Sequence, residues 1–264
     1  MKKSIIVWVV LAIAGGIGVW YYLTQRQAAP PPAAVQAQPP APAPAPAQPA
    51  ILHPVPQAGE KTAQAAALPS LNDSDPAVRG ALSDLIGAEA VKSFLAPDNL
   101  IRRIVATVDN LPRTKVPLEK RPVVAVAGQF RALGDEEHAT LDPSNFARYA
   151  PMVEVIGKLD MQRVADLYFR LYPLFQSAYQ DLGYPDGYFN DRLIAVIDVL
   201  LATPQPNGPI ALVQPNVLYE FADPKLEALP AGQKLLIRMG PENETLIKSR
   251  LSELRAALTA APPR

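Results

Sequence analysis

Apolar residues at Leu100, Ile101, Ile104, Val105 and Val108 recur at helical spacing within DNLIRRIVATVDNL. This stripe predicts an amphipathic helix with Asp98 as its cap and Arg102 and Arg103 on its flanks. Upstream, Val78, Leu82, Leu85 and Ile86 mark a first helix, opened by Ser74 or Asp75 with Pro76 in its first turn. AEAVKSFL gives a short second helix. PSNFARYAPMVEVIGKL starts another behind Pro143, with a break expected at Pro151. MQRVADLYFRLYPLFQSAYQDLG aligns Leu167, Tyr168, Leu171, Phe175, Ala178 and Leu182, with a kink expected at Pro173. YFNDRLIAVIDVLLATP is apolar nearly all round, the mark of a central helix. PAGQKLLIRMG and PENETLIKSRLSELRAAL close the pattern, the second with Leu246, Ile247, Leu251, Leu254 and Leu258 as its buried stripe.

Alternation is weaker. Phe130–Leu133 and His138–Leu141 read as a hairpin about Gly134-Asp135, and Ile210–Val213 and Val217–Phe221 as two more short strands. The fold class is therefore mainly α: one helical domain over residues 69–260 with one or two small β-hairpins.

Two other segments precede it. Residues 1–27 carry Lys2 and Lys3, then an uncharged run from Ser4 to Thr24 closing on Trp20, Tyr21 and Tyr22. That run is long enough to span a bilayer, and its aromatic end suits the membrane interface. It is expected to be a retained anchor across residues 4–24, with the N-terminus cytoplasmic and the domain periplasmic. Residues 28–68 are Pro/Ala-rich, including APAPAPA from Ala41 to Ala47, and lack the apolar content to bury. This linker is expected to stay unfolded as a stiff extended arm, with His53 an ordinary linker histidine.

Composition narrows the chemistry. The chain has no cysteine and two histidines, His53 and His138, so neither a thiolate nor a histidine-rich metal site is available. Net charge is zero, and beyond Pro69 acidic residues slightly outnumber basic ones; this lacks the basic footprint of a nucleic-acid binder. HExxH, CxxC, GxSxG and phosphate-binding GxxxxGK[ST] patterns are absent. No cofactor, metal or catalytic residue is assigned.

The densest chemistry lies in LGYPDGYFNDRLIAVIDVLLATP. Tyr184, Asp186, Tyr188, Asn190, Asp191 and Arg192 crowd its turn and are candidate ligand or partner residues. The aromatics from Tyr168 to Phe189 are expected mainly in the core. Asn190 or Asp191 is expected to bond free amides at the helix start. Asp198 is expected to be a buried carboxylate paired with Arg102, Arg103 or Arg170, because an unpaired buried charge is costly.

VATVDNLPR, the block from LYPLFQSAYQDLGYPDGYFND to LATP, YEFADPKLEALPAGQKLLIRMGPEN and the proline-rich arm together resemble a bacterial family called domain of unknown function 3014. The likeness runs roughly from Leu68 to Leu258. It implies a cell-envelope protein and brings no catalytic residues. The leading expectation is a non-enzymatic tether or interaction module with an envelope protein partner. The alternative is a cell-wall glycan binder, or a glycan-acting enzyme using Asp186, Asp191 or Asp198 beside Tyr184 and Tyr188.

Overall fold

The computed structural model describes residues 50–56, 68–135 and 137–260, all within the unit Gln48–Arg264. The anchor expected over residues 4–24 lies outside the described residues. Among those described, no helix is long and apolar enough to cross a membrane.

Nine α-helices are present among the described residues: α1 Asp75–Ile86, α2 Ala88–Phe94, α3 Leu100–Asn110, α4 Ala150–Gly157, α5 Met161–Asp181, α6 Phe189–Leu201, α7 Pro224–Glu227, α8 Ala231–Met239 and α9 Pro241–Thr259. A 3-10 segment, Pro143–Arg148, precedes α4. The break expected at Pro151 is displaced: Pro151 sits in the first turn of α4, where its missing N–H costs nothing. Pro173 lies inside α5, which continues as one helix to Asp181.

The periodic stripes become the core. Leu100, Ile101 and Val105 of α3 are buried against Ala165, Tyr168, Leu171 and Phe175 of α5, Phe189 and Ile197 of α6, and Leu258 of α9. The caps differ from expectation. Ser74 makes no side-chain cap to α1, and its hydroxyl donates to Leu71 C=O instead. The first amides of α3 are taken by Asp75, which accepts from Asn99 and Leu100, rather than by Asp98.

Both hairpins form, shorter than their sequence runs. Strand β1, Ala132–Leu133, pairs antiparallel with β2, Thr140–Leu141, in the register Ala132↔Leu141. Strand β3, Leu212–Val213, pairs antiparallel with β4, Glu220–Phe221, through Leu212↔Phe221. The two hairpins also join, by a Thr140↔Ala211 bridge and hydrogen bonds from Leu141 N–H to Ile210 C=O and Leu212 N–H to Ala139 C=O. Ala139, Leu141, Leu212, Phe221 and Ile237 form a small core of their own there. At the junction of α8 and α9, Gly240 has φ +87°, and any Cβ would drive into the Phe146 ring.

One expectation about the linker is overturned. Part of residues 28–68 does not stand free: Ala50–Pro56 lies against the helical domain, with its main chain hydrogen-bonded to the start of α6.

Candidate functional site

The turn between α5 and α6 is built on a pedestal of aromatic rings. The Phe175 and Phe189 rings stack 5.7 Å apart with nearly parallel planes. Tyr179 and Tyr184 stack at 4.6 Å, and Tyr172 packs against Tyr188 at 5.5 Å. Helical spacing on α5 places these rings in one row, and the chain reverses through Gly187 to lay its own aromatics over them. Gly187 is required by space: a Cβ there would come within 2.7 Å of the Tyr179 ring.

Gln176 fastens the turn. Its Oε1 accepts the Phe189 N–H at 2.9 Å and the Tyr172 hydroxyl at 2.8 Å, while its Nε2 donates to Gly187 C=O at 2.7 Å. The helix-start amide is thus satisfied from α5. The sequence pointed to Asn190 or Asp191 for this role; no side chain at the cap position Tyr188 or beyond performs it. Gln176 gave no sequence signal, because a half-buried glutamine on an amphipathic helix looks like any other flank residue.

The six turn candidates separate into two groups and one outlier. Arg192 and Tyr184 face Asp109 at the end of α3. Asp109 is 2% exposed. Its Oδ1 accepts from Arg192 Nε at 3.0 Å, and its Oδ2 from Arg113 Nη2 at 2.7 Å and the Tyr184 hydroxyl at 3.2 Å. Arg192 Nη2 also donates to Asp109 C=O at 2.7 Å. A buried carboxylate is tolerable when both oxygens are matched in this way. Asp109 is the buried paired acid the sequence placed at Asp198, and it was hidden at the edge of an amphipathic stripe.

Tyr188, Asn190 and Asp191 form the second group and hold the main chain of the arm. Asp191 accepts two successive amides, Leu52 N–H on Oδ2 at 3.0 Å and His53 N–H on Oδ1 at 2.7 Å. Asn190, fully buried, donates from Nδ2 to His53 C=O at 2.8 Å and accepts on Oδ1 from the Tyr168 hydroxyl at 3.1 Å. The Tyr188 hydroxyl accepts the Val55 N–H at 2.7 Å. Burial, followed by the neighbouring Tyr172 and Tyr188 hydroxyls, pushes the Tyr168 hydroxyl far above its usual range. Burial and Tyr188 do the same to Tyr172. Both phenols therefore stay protonated and act as donors, which fixes the orientation of Asn190 and Gln176. Asp186, the outlier, is exposed at the turn.

The ion-pair expectation for Asp198 holds in kind and fails in place. Asp198 lies on an exposed flank of α6, its side chain 48% exposed, and pairs with Arg255 of α9 at 2.6 and 3.2 Å. None of the proposed arginines reaches it. Arg102 pairs with Asp181 and Arg103 with Asp98, while exposed Arg170 has no ion pair among the described residues. The error has a physical origin: α6 buries Ile194, Val196, Ile197 and Leu200, and the remaining narrow strip of solvent falls on Asp198. His138 is exposed, just before β2, with Nδ1 3.0 Å from Asp135.

No group of His, Asp or Glu among the described residues is arranged to hold a metal ion. An apolar cavity of about 170 Å³ lies between α1, α3, α5 and α9, lined by Leu82, Ile104, Leu167, Leu171 and Leu254 among others. It offers no charged group to orient a polar ligand.

The family described as Protein of unknown function (DUF3014) matches residues 100–255, more than half of the chain. The chain belongs to this family. The match takes in α3 to α8 and most of α9, with Asp109, the whole turn and Gln176, and does not include the docked arm segment. No curated protein and no solved structure matches the chain.

Proposed function

We propose that this DUF3014 protein is a non-enzymatic interaction module of the cell envelope. Residues 4–24 anchor it in the bacterial inner membrane, its N-terminus is cytoplasmic, and its helical domain is held in the periplasm by the Pro/Ala-rich arm. One observation carries the interaction reading. The turn into α6 spends Tyr188, Asn190 and Asp191 on peptide main chain, four hydrogen bonds to residues more than 130 positions away. A side-chain set that grips backbone groups is suited to recognising a peptide segment.

The glycan reading draws less support from the same residues. The Tyr184 ring is stacked on Tyr179 and its hydroxyl is committed to Asp109. Asp191 accepts two amides, and Asp198 is paired with Arg255.

The test is an in-cell crosslink from a photo-reactive residue at exposed Asp186, followed by mass spectrometry, together with a C-terminal reporter active only in the periplasm. A discrete protein adduct and an active reporter are expected. A glycan adduct would overturn the interaction reading, and a silent reporter in a membrane-inserted chain would overturn the topology.

A further inference from the structure

The clamp formed by Tyr188, Asn190 and Asp191 has the features of an exchangeable site. All four of its bonds go to main-chain atoms of Leu52, His53 and Val55. Of the residues it holds, Leu52 is 72% exposed, while His53 and Val55 are half-buried. Much of the recognition therefore resides in main-chain groups, three N–H and one C=O. Two successive residues must offer amides to the Asp191 carboxylate. The third, Pro54, has no amide and is asked for none. The fourth must offer one to Tyr188. Leu52 and His53 form a bend that turns their two amides toward one carboxylate. Carboxylate–amide bonds of this kind are charge-assisted and stronger than neutral ones.

The Ala41–Ala47 repeat alternates alanine and proline and cannot offer two successive amides. Leu52-His53-Pro54-Val55 supplies the full set, and so does Ala47-Gln48-Pro49-Ala50; the docked segment differs in the His53 and Val55 side chains, which are half-buried. The segment joins the domain through residues 57–67. Held in the same chain, the segment competes intramolecularly with any free peptide. Nothing in the clamp requires the segment to come from the same chain, and every copy of the protein carries an identical one.

We propose that the clamp is a peptide-binding site whose resident ligand is the chain's own Leu52–Val55, and that in trans it takes the same segment of a second copy. This goes beyond the tethering role and does not depend on where the chain is anchored. In cis the segment caps the site. Released, it links one domain to the arm of its neighbour, an exchange of an identical element between protomers.

The test uses the full chain in detergent and a fluorescein-labelled peptide spanning Gln48 to Gln57. The double substitution Leu52→Pro and His53→Pro removes both amides that Asp191 accepts and frees the clamp. Saturable anisotropy binding to this variant is expected, at least roughly tenfold tighter than to the unaltered chain, where the tethered segment competes. Adding Asp191→Ala is expected to abolish it. A peptide N-methylated at the Leu52 and His53 amides keeps its side chains and is expected not to bind. Mixing arm-defective Leu52→Pro/His53→Pro chains with clamp-defective Tyr188→Phe/Asp191→Ala chains is expected to give a heterodimer by light scattering that neither forms alone. Failure of the freed chain to bind peptide, or equal binding of the N-methylated peptide, would overturn the site. Peptide binding without a heterodimer would overturn the second copy as its occupant. Near-ultraviolet circular dichroism establishes that each variant is folded; if the double-proline chain is not, Leu52→Pro alone serves in its place.

Discussion

Asp191 and Arg192 are adjacent in the chain, yet they belong to different kinds of structure. Arg192 reaches back to Asp109, which is closed off from water and matched on both oxygens by Arg192, Arg113 and Tyr184. Asp191 reaches outward to the amides of Leu52 and His53, in a segment whose Leu52 side chain lies in solvent. The first arrangement is costly to break because a stranded charge has nowhere to go. The second can open where water reaches half-buried Asp191 and Tyr188, at the cost of finding a new acceptor for buried Asn190. Burial of the acceptor, more than the number of bonds, separates a structural network from an exchangeable one.

Removing the buried acid should have the largest effect. Asp109→Ala leaves Arg192 without its partner and is expected to cost about 3–5 kcal/mol, read as a lowered Tm. A loss below about 1 kcal/mol would show that the network is not structural. Gly187→Ala comes next. It wedges a methyl between the Tyr179 ring and the Tyr184 Cβ and is expected to cost about 1–3 kcal/mol in denaturant unfolding, with no direct contact to the arm. Tyr188→Phe removes one acceptor from the clamp. It should weaken docking by about 0.5–1.5 kcal/mol, visible as faster hydrogen exchange at Val55 with the Tm nearly unchanged. A large fall in Tm would place the clamp with the structural network. Asp198→Ala should be smallest, about 0–1 kcal/mol and diminished by salt, since its pair with Arg255 is exposed.

Glu244 of α9 tests the role of burial through pH. It is 1% exposed, and burial pushes its carboxyl up, with Lys248 partly opposing. The folded chain keeps that proton to higher pH than the unfolded chain, whose glutamate titrates near 4.5. Its favourable contribution is present below that value and is lost as pH rises through the folded value. Glu244→Gln should flatten this part of the stability–pH curve. An unaltered slope would show that the carboxyl is not shielded.

The helices were legible because burial of a stripe imposes a 3.6-residue period, as in α3 and α5, whereas of the stripe expected on α9 only Leu258 is fully buried. The hairpins were legible through their turns, but their union through Thr140 and Ala211 was not. It rests on backbone pairing between segments that no local pattern connects. Among the site residues, the turn itself stood out by its density of tyrosines and charges. Its division did not, since Asp191 and Arg192 differ only in what other elements bring to them.

Local physics acting on the sequence therefore determined where helices run and which turn concentrates polar chemistry. Tertiary structure alone decided which acid is buried, Asp109 rather than Asp198, and what Asp191 binds. A carboxylate's exposure depends on the side of its helix left uncovered by distant neighbours. A clamp on peptide backbone exists only once residues 52–55 and 188–191 meet, and main-chain recognition leaves no signature in the side chains it reads.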